Sequence, residues 1–183
     1  MQNVVLTTLT LAYPALVYWG LGRFEPRHLA VLLLALALLR AVATKQRFGW
    51  AAAAAATLLA AASWLGNNAL PLKLYPVLIN VTLLFVFAMS LYYPPTVIER
   101  FARLKEPELS ASGVHYTRQV TQIWCGFFIL NGSLALSTVL WASDAIWALY
   151  NGLIAYVLMA TLMAGEWLVR QRVRKQESRR RHD

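Results

Sequence analysis

The sequence predicts an all-α fold, a bundle of six transmembrane helices. Three observations predict it. Hydrophobic residues make up 59% of the 183 residues and charged residues only 14%, against about 45–50% apolar and about 25% charged in a soluble domain. The apolar residues gather in six segments, each near the length that crosses a hydrocarbon core of about 30 Å. The basic residues flank those segments instead of interrupting them. This composition excludes intrinsic disorder, a disulfide scaffold and a soluble nucleic-acid binder. The single cysteine, Cys125, leaves no internal disulfide and no multi-cysteine metal site.

The expected spans are 3–20, 28–43, 50–66, 70–92, 119–142 and 145–169. No Lys or Arg precedes the first apolar run, so it lacks the basic region of a signal peptide and reads as a retained span. The second is short and rich in leucine. The third holds nine alanines, Ala51 to Ala56 among them. Small residues let helices approach closely, so a buried, tightly packed third helix is expected. Pro71 and Pro76 open the fourth span. Each can start or kink a helix, and partners can satisfy the carbonyls it frees. Residues 1–169 form one transmembrane domain, and 170–183 form a basic tail. No internal repeat or soluble domain is visible.

The loops predict the orientation. Arg40, Lys45, Arg47, Arg100, Arg103, Lys105, Arg118 and the tail place fourteen of the 17 Lys+Arg on one side. Arg23, Arg27 and Lys73 fall on the other. The positive-inside rule puts both termini in the cytoplasm. The connection from Tyr93 to Arg118 is the longest. Thr96 and Glu99 have capping-box spacing there. Val97, Ile98, Phe101 and Leu104 then share one helical face, with Glu99, Arg100, Arg103 and Lys105 largely on the other. That pattern is a short interfacial helix, which Pro107, Ser110 and Gly113 are expected to end.

Polar residues inside spans are costly and face the bundle interior. A helix rises 1.5 Å per residue, so Asn80 and Asn131 lie roughly 15 and 18 Å deep, near the midplane, and Asn151 about 9 Å from the outer face. Gly132 and Gly152 follow two of them and remove a side chain beside the amide. Two readings stand. The amides line a polar pocket or substrate path, or they hydrogen-bond between helices as packing glue worth about 1 kcal/mol per bond. Trp124 is too deep for an interface anchor and is a further ligand-binding candidate, whereas Trp19, Trp50 and Trp167 fit the aromatic belt. Glu166 is a further head-group or partner candidate that could carry protons or anchor a basic substrate group, or it pairs with Arg170, four residues on, or with Arg118. Arg100, Arg103, His115, Tyr116 and Arg118 are candidates for a phosphate, a lipid head group or an acyl carrier's acidic surface. The arginines are equally explained as positive-inside charge on a solvated loop. No catalytic or metal motif is present, and no cofactor or nucleic acid is expected.

Two stretches carry a resemblance: LYYPPTVIERFARL (Leu91 to Leu104), and YTRQVTQIWCGFFILNGSLAL followed by WALYNGLIAYVLMATLMAGEWLVR. They resemble a family of small bacterial inner-membrane proteins encoded beside fatty-acid-synthase-like clusters for aryl polyene or xanthomonadin-type lipids. The pattern from Trp124 to Phe128, with Asn-Gly behind it, is also similar to the intracellular septation protein A family. The first resemblance implies a non-enzymatic accessory role near lipid assembly in the inner membrane. Its partners would be membrane lipid, soluble acyl-chain-handling enzymes or an acyl carrier protein. A small lipid or metabolite transporter or flippase is the second expectation. A membrane-bound acyl or glycosyl transferase using Glu99 and His115 is the third.

Overall fold

A computed structural model describes residues 12–21, 23–44 and 47–180. Residues 3–11 of the first expected span, Lys45 and His182 lie outside the described residues. So do the side chains of Arg40, Arg47, Trp50 and 172–180. Among the described residues the regular elements are all helical. They are α1 (Tyr13–Leu21), α2 (Pro26–Thr44), α3 (Arg47–Gly66), α4 (Leu70–Lys73), α5 (Tyr75–Tyr92), α6 (Val97–Arg103), α7 (Ala111–Trp141) and α8 (Asp144–Leu149). A π-helical turn, Tyr150–Ile154, then joins α8 to α9 (Ala155–Arg180).

Of the six spans that hydropathy predicts, three are long and apolar enough to cross a membrane among the described residues: Tyr75–Tyr92, Ala111–Trp141 and Asp144–Gln171. In the first half the apolar stretches among the described residues are Pro26–Ala35, within α2, and Ala56–Gly66, within α3. There α2 and α3 pack along each other. Ala56, Ala60 and Ser63 recur at helical spacing, form one buried stripe on α3, and let α2 bring in Leu29, Ala30 and Leu33. Leu58, Trp64 and Leu65 stay exposed. The alanine-rich helix is therefore buried on one face, where full burial is expected from its composition. Small side chains permit close approach but do not supply partners for every face.

The end of α3 depends on two asparagines. Asn67 takes the left-handed conformation (φ 44°), which asparagine tolerates better than most residues. The Asn68 N–H then donates to Ser63 O at 3.3 Å. The Ser63 hydroxyl donates to Asn68 O at 2.7 Å. Asn68 Oδ1 accepts the Leu70 N–H at 2.8 Å and so starts α4.

The fourth expected span is two helices, α4 and α5, broken at Leu74. Pro76 has no N–H to return to Leu72 O. That carbonyl instead accepts the Tyr13 hydroxyl at 3.1 Å. The next carbonyl, Lys73 O, accepts Trp147 Nε1 at 3.1 Å. The expectation that partners satisfy the carbonyls freed by proline is met by α1 and α8. Tyr13, Leu72 and Trp147 are all fully buried and lie with Val17, Leu29, Ala30, Leu33, Ala60 and Val139 in one core. Lys73 pairs with Asp144 at the same end. At the start of the chain the Arg23 guanidinium lies 4.4 Å from the ring centre of Trp19.

The longest helix, α7, begins at Ala111, eight residues before its expected span. Ser110 caps it by accepting the Gly113 N–H at 3.1 Å. Ser110 therefore starts α7 where it is expected to end α6, and His115, Tyr116 and Arg118 stand on a helix. The main partner of α7 is α5, and α6 folds against both. The last helix, α9, runs unbroken from the final span to Arg180, so most of the basic tail is helical.

Candidate functional site

Two of the three buried amides meet. Asn131 Nδ2 on α7 donates to Asn80 Oδ1 on α5 at 3.0 Å. Asn80 Nδ2 donates to Pro76 O, one turn back, at 2.9 Å. The Tyr150 hydroxyl donates to Asn131 Oδ1 at 2.8 Å. The result is one directional chain from the π-helical turn through α7 to α5. Gly132 permits it. A Cβ at Gly132 would come within 3.1 Å of the Asn80 Cβ. Any larger residue there would push α5 and α7 apart.

Asn151 does not join that pair. Its Nδ2 donates to Thr138 Oγ1 at 3.1 Å and to Trp147 O at 2.9 Å. Asn131 and Thr138 are two turns apart on the same side of α7, so Tyr150 and Asn151, neighbours in sequence, both reach that helix. The π-helical turn underlies this. Its closing bond runs from the Ala155 N–H back to Tyr150 O, five residues instead of four. Trp147 O, which also accepts the Tyr150 N–H, takes the Asn151 side chain as a further donor. Gly152 faces α1, where a Cβ would make ordinary contact with Pro14 Cβ at 3.5 Å.

Asn80, Asn131 and Asn151 are all buried. Among the described residues no buried side-chain N or O lacks a hydrogen bond. The amides are thus arranged as the packing reading expects. Trp124 stands apart from them, half-buried in a cluster with Phe87, Phe127 and Phe128. An open groove of about 270 Å³ borders the network on its outer side. Leu134, Ser137, Thr138, Trp141, Ala142 and Tyr150 line it. Tyr150 and Thr138 thus face the groove and the amide network at once. Nothing in the sequence singles out Tyr150, Thr138 or Ser137, which are ordinary residues of an apolar helix.

The other candidates gather at the opposite end of α5 and α7. The Thr96–Glu99 capping box is formed: the Glu99 N–H donates to Thr96 Oγ1, and Glu99 Oε2 accepts the Thr96 N–H. Arg103 binds Glu99 Oε1 through Nε and Nη2 at 2.9 and 2.8 Å, and donates from Nη1 to Pro107 O. Ser90 Oγ accepts the Val97 N–H at 3.1 Å and ties α6 to α5. Arg118 Nη1 donates to Leu91 O at 3.1 Å, and Arg100 Nε to Pro95 O at 3.0 Å. The Tyr116 hydroxyl donates to Glu166 O, the backbone carbonyl, at 3.4 Å. His115 is exposed and makes no bond to Glu99.

Neither expected partner of Glu166 is found. Among the described residues the ion pairs are Arg27–Glu25, Lys73–Asp144 and Arg103–Glu99. A helical i,i+4 pair is worth only about 0.2–0.5 kcal/mol, so its absence costs little. Arg118 goes instead to the carbonyls at the end of α5, which lack helical donors. No group of three or more His, Cys, Asp or Glu fit to hold a metal occurs among the described residues. The chain thus has the features of an all-helical membrane protein, with a buried amide network toward one end and a basic cluster at the other. Comparison with protein-family models, curated proteins and solved structures found no match to this chain.

Proposed function

We propose that this protein is a non-enzymatic accessory protein of the bacterial inner membrane that holds an acyl-chain intermediate of envelope lipid or aryl polyene lipid assembly. The groove beside Tyr150 is the observation that carries the reading. It opens between helices apolar enough to span a membrane, and its lining is Leu134, Trp141 and Ala142 with two aliphatic hydroxyls and Tyr150. Its lining is mostly apolar, so an acyl chain is its natural filler. About 270 Å³ lies just below the usual range of small-molecule pockets and suits one chain better than a whole lipid. The resemblance of Leu91–Leu104 and Tyr116–Leu136 supplies the lipid class. The excess of Lys and Arg on one side favours cytoplasmic termini.

The closed amide network supports holding over transport. A hydrophilic substrate path needs polar groups free to exchange partners, and these three amides are already bonded to protein. The transferase reading has less support, since Glu99 is held by Thr96 and Arg103 and His115 stands apart. Native mass spectrometry of the full chain in mild detergent tests the proposal. Ser137→Phe fills the groove from its lining. The expected result is an acyl-lipid adduct on the parent protein that is lost from Ser137→Phe at unchanged thermal midpoint. Equal adducts on both proteins overturn the groove as the site.

A further inference from the structure

The basic end of the bundle carries a second site, of different chemistry. Two arginines grip the short stretch that leaves α5. Arg118 holds Leu91 O from α7, and Arg100 holds Pro95 O from α6. Each guanidinium has five N–H donors in a rigid fork, and each carbonyl contact occupies one. Both side chains are exposed, and among the described residues neither is in an ion pair. The acid beside Arg100 in sequence, Glu99, is buried and already bound by Arg103. Arg100 and Arg118 are therefore fixed in place without being neutralised.

The surroundings say what they face. Tyr92, Tyr93, Phe101 and Leu104 are 79%, 69%, 64% and 81% exposed. On α6 the acid Glu99 and Ala102 point inward, while Phe101 and Leu104 point away from the protein. A soluble helix would place these groups the other way round. Outward apolar residues beside arginine and tyrosine suit the level of lipid head groups, where both water and hydrocarbon are within reach. Arginine forks match phosphate oxygens there.

We infer that Arg100 and Arg118 form a binding site for the phosphate of a membrane lipid, seated over Leu91–Pro95, with Tyr92, Tyr93, Phe101 and Leu104 in the head-group layer around it. Ser90 and the capping box hold α6 in position for it. This site does not rest on the acyl groove, which lies toward the other end of α7.

The test uses the full chain in mild neutral detergent, titrated by native mass spectrometry with dioctanoyl phosphatidic acid, dioctanoylglycerol and inorganic phosphate. Phosphatidic acid is expected to bind the parent protein at least tenfold more tightly than the Arg100→Gln/Arg118→Gln protein. Dioctanoylglycerol, without phosphate, should bind both weakly. Lys105→Gln, a nearby charge outside the site, should lose no more than twofold. Equal binding by the double variant overturns the site. Equal loss in Lys105→Gln reduces it to diffuse charge and overturns it too. Inorganic phosphate binding as tightly as the lipid would assign a free-phosphate site and overturn the lipid assignment. If the double variant does not fold, Arg118→Lys replaces it. That variant keeps the charge but not the fork, so about a threefold loss is expected, and no loss is the contrary result.

Discussion

Asn131 both donates to Asn80 and accepts from Tyr150, whereas Asn80 makes its second bond within its own helix. The two residues should therefore respond unequally to removal. Asn131→Leu leaves the Tyr150 hydroxyl and the Asn80 carbonyl oxygen without partners. Asn80→Leu leaves only the Asn131 amide nitrogen. A stranded buried polar group costs about 1–3 kcal/mol, and bonds between membrane helices are worth about 0.6–2 kcal/mol. Reversible unfolding in mixed detergent micelles should rank Asn131→Leu as more destabilising than Asn80→Leu. The double variant should cost less than the sum. Strict additivity would mean that the bond carries no coupling. At this scale the sequence told much about residue type and depth. Amides at the middle of apolar segments had to find partners. It could not tell which partners, because one residue of helix rotation is about 100°. Tyr150 was illegible for the same reason: only the π-helical turn aims it at α7.

Among the elements, the break between α4 and α5 has the clearest physical cause. Pro76 removes one donor, and Tyr13 and Trp147 donate to the carbonyls around it from other helices. Pro76→Ala restores an N–H for Leu72 O. In the parent protein Tyr13→Phe should cost about 1–3 kcal/mol, since a buried carbonyl loses its donor. In the Pro76→Ala background the same change should cost distinctly less. Equal costs in the two backgrounds would refute the link between the proline and the tyrosine. The prolines were readable in the sequence, and so was the capping box of α6, because each is a local signal. The start of α7 was not. His115, Tyr116, Thr117 and Arg118 read as loop on hydropathy, yet one serine cap extends the helix through all of them. The π-helical turn left no local signal beyond an Asn-Gly pair.

At the scale of the whole molecule, α7 sets the proportions. Its 31 residues span about 46 Å at 1.5 Å per residue, and a hydrocarbon core is about 30 Å thick. The polar residues of α7 gather at its basic end, from Ala111 to about Arg118. The Lys73–Asp144 pair marks one end of the bundle, and the Arg118 and Tyr116 contacts mark the other. Orientation can be read from these ends. With Cys125 replaced by Ala, Ser143→Cys should react with a membrane-impermeant maleimide on intact cells. Lys105→Cys should react only after the inner membrane is opened. The reverse pattern would invert the proposed topology. Hydropathy alone suggested six spans. Among the described residues three helices have both the length and the apolarity to cross a membrane.

The π-helical turn also makes chain length adjustable at one point. Removing a residue from an ordinary spanning helix swings everything beyond it by about 100° and presents the wrong side to each neighbour. A turn that already holds one residue more than its α-helical counterpart can give that residue up and return to regular geometry. Leu153 is exposed. Its deletion would leave the faces of α8 and α9 in phase, and the damage would fall on Tyr150 and Asn151. Lineages of this protein thus have a place where a one-codon loss dismantles the polar bridge without unmaking the helix that carries it.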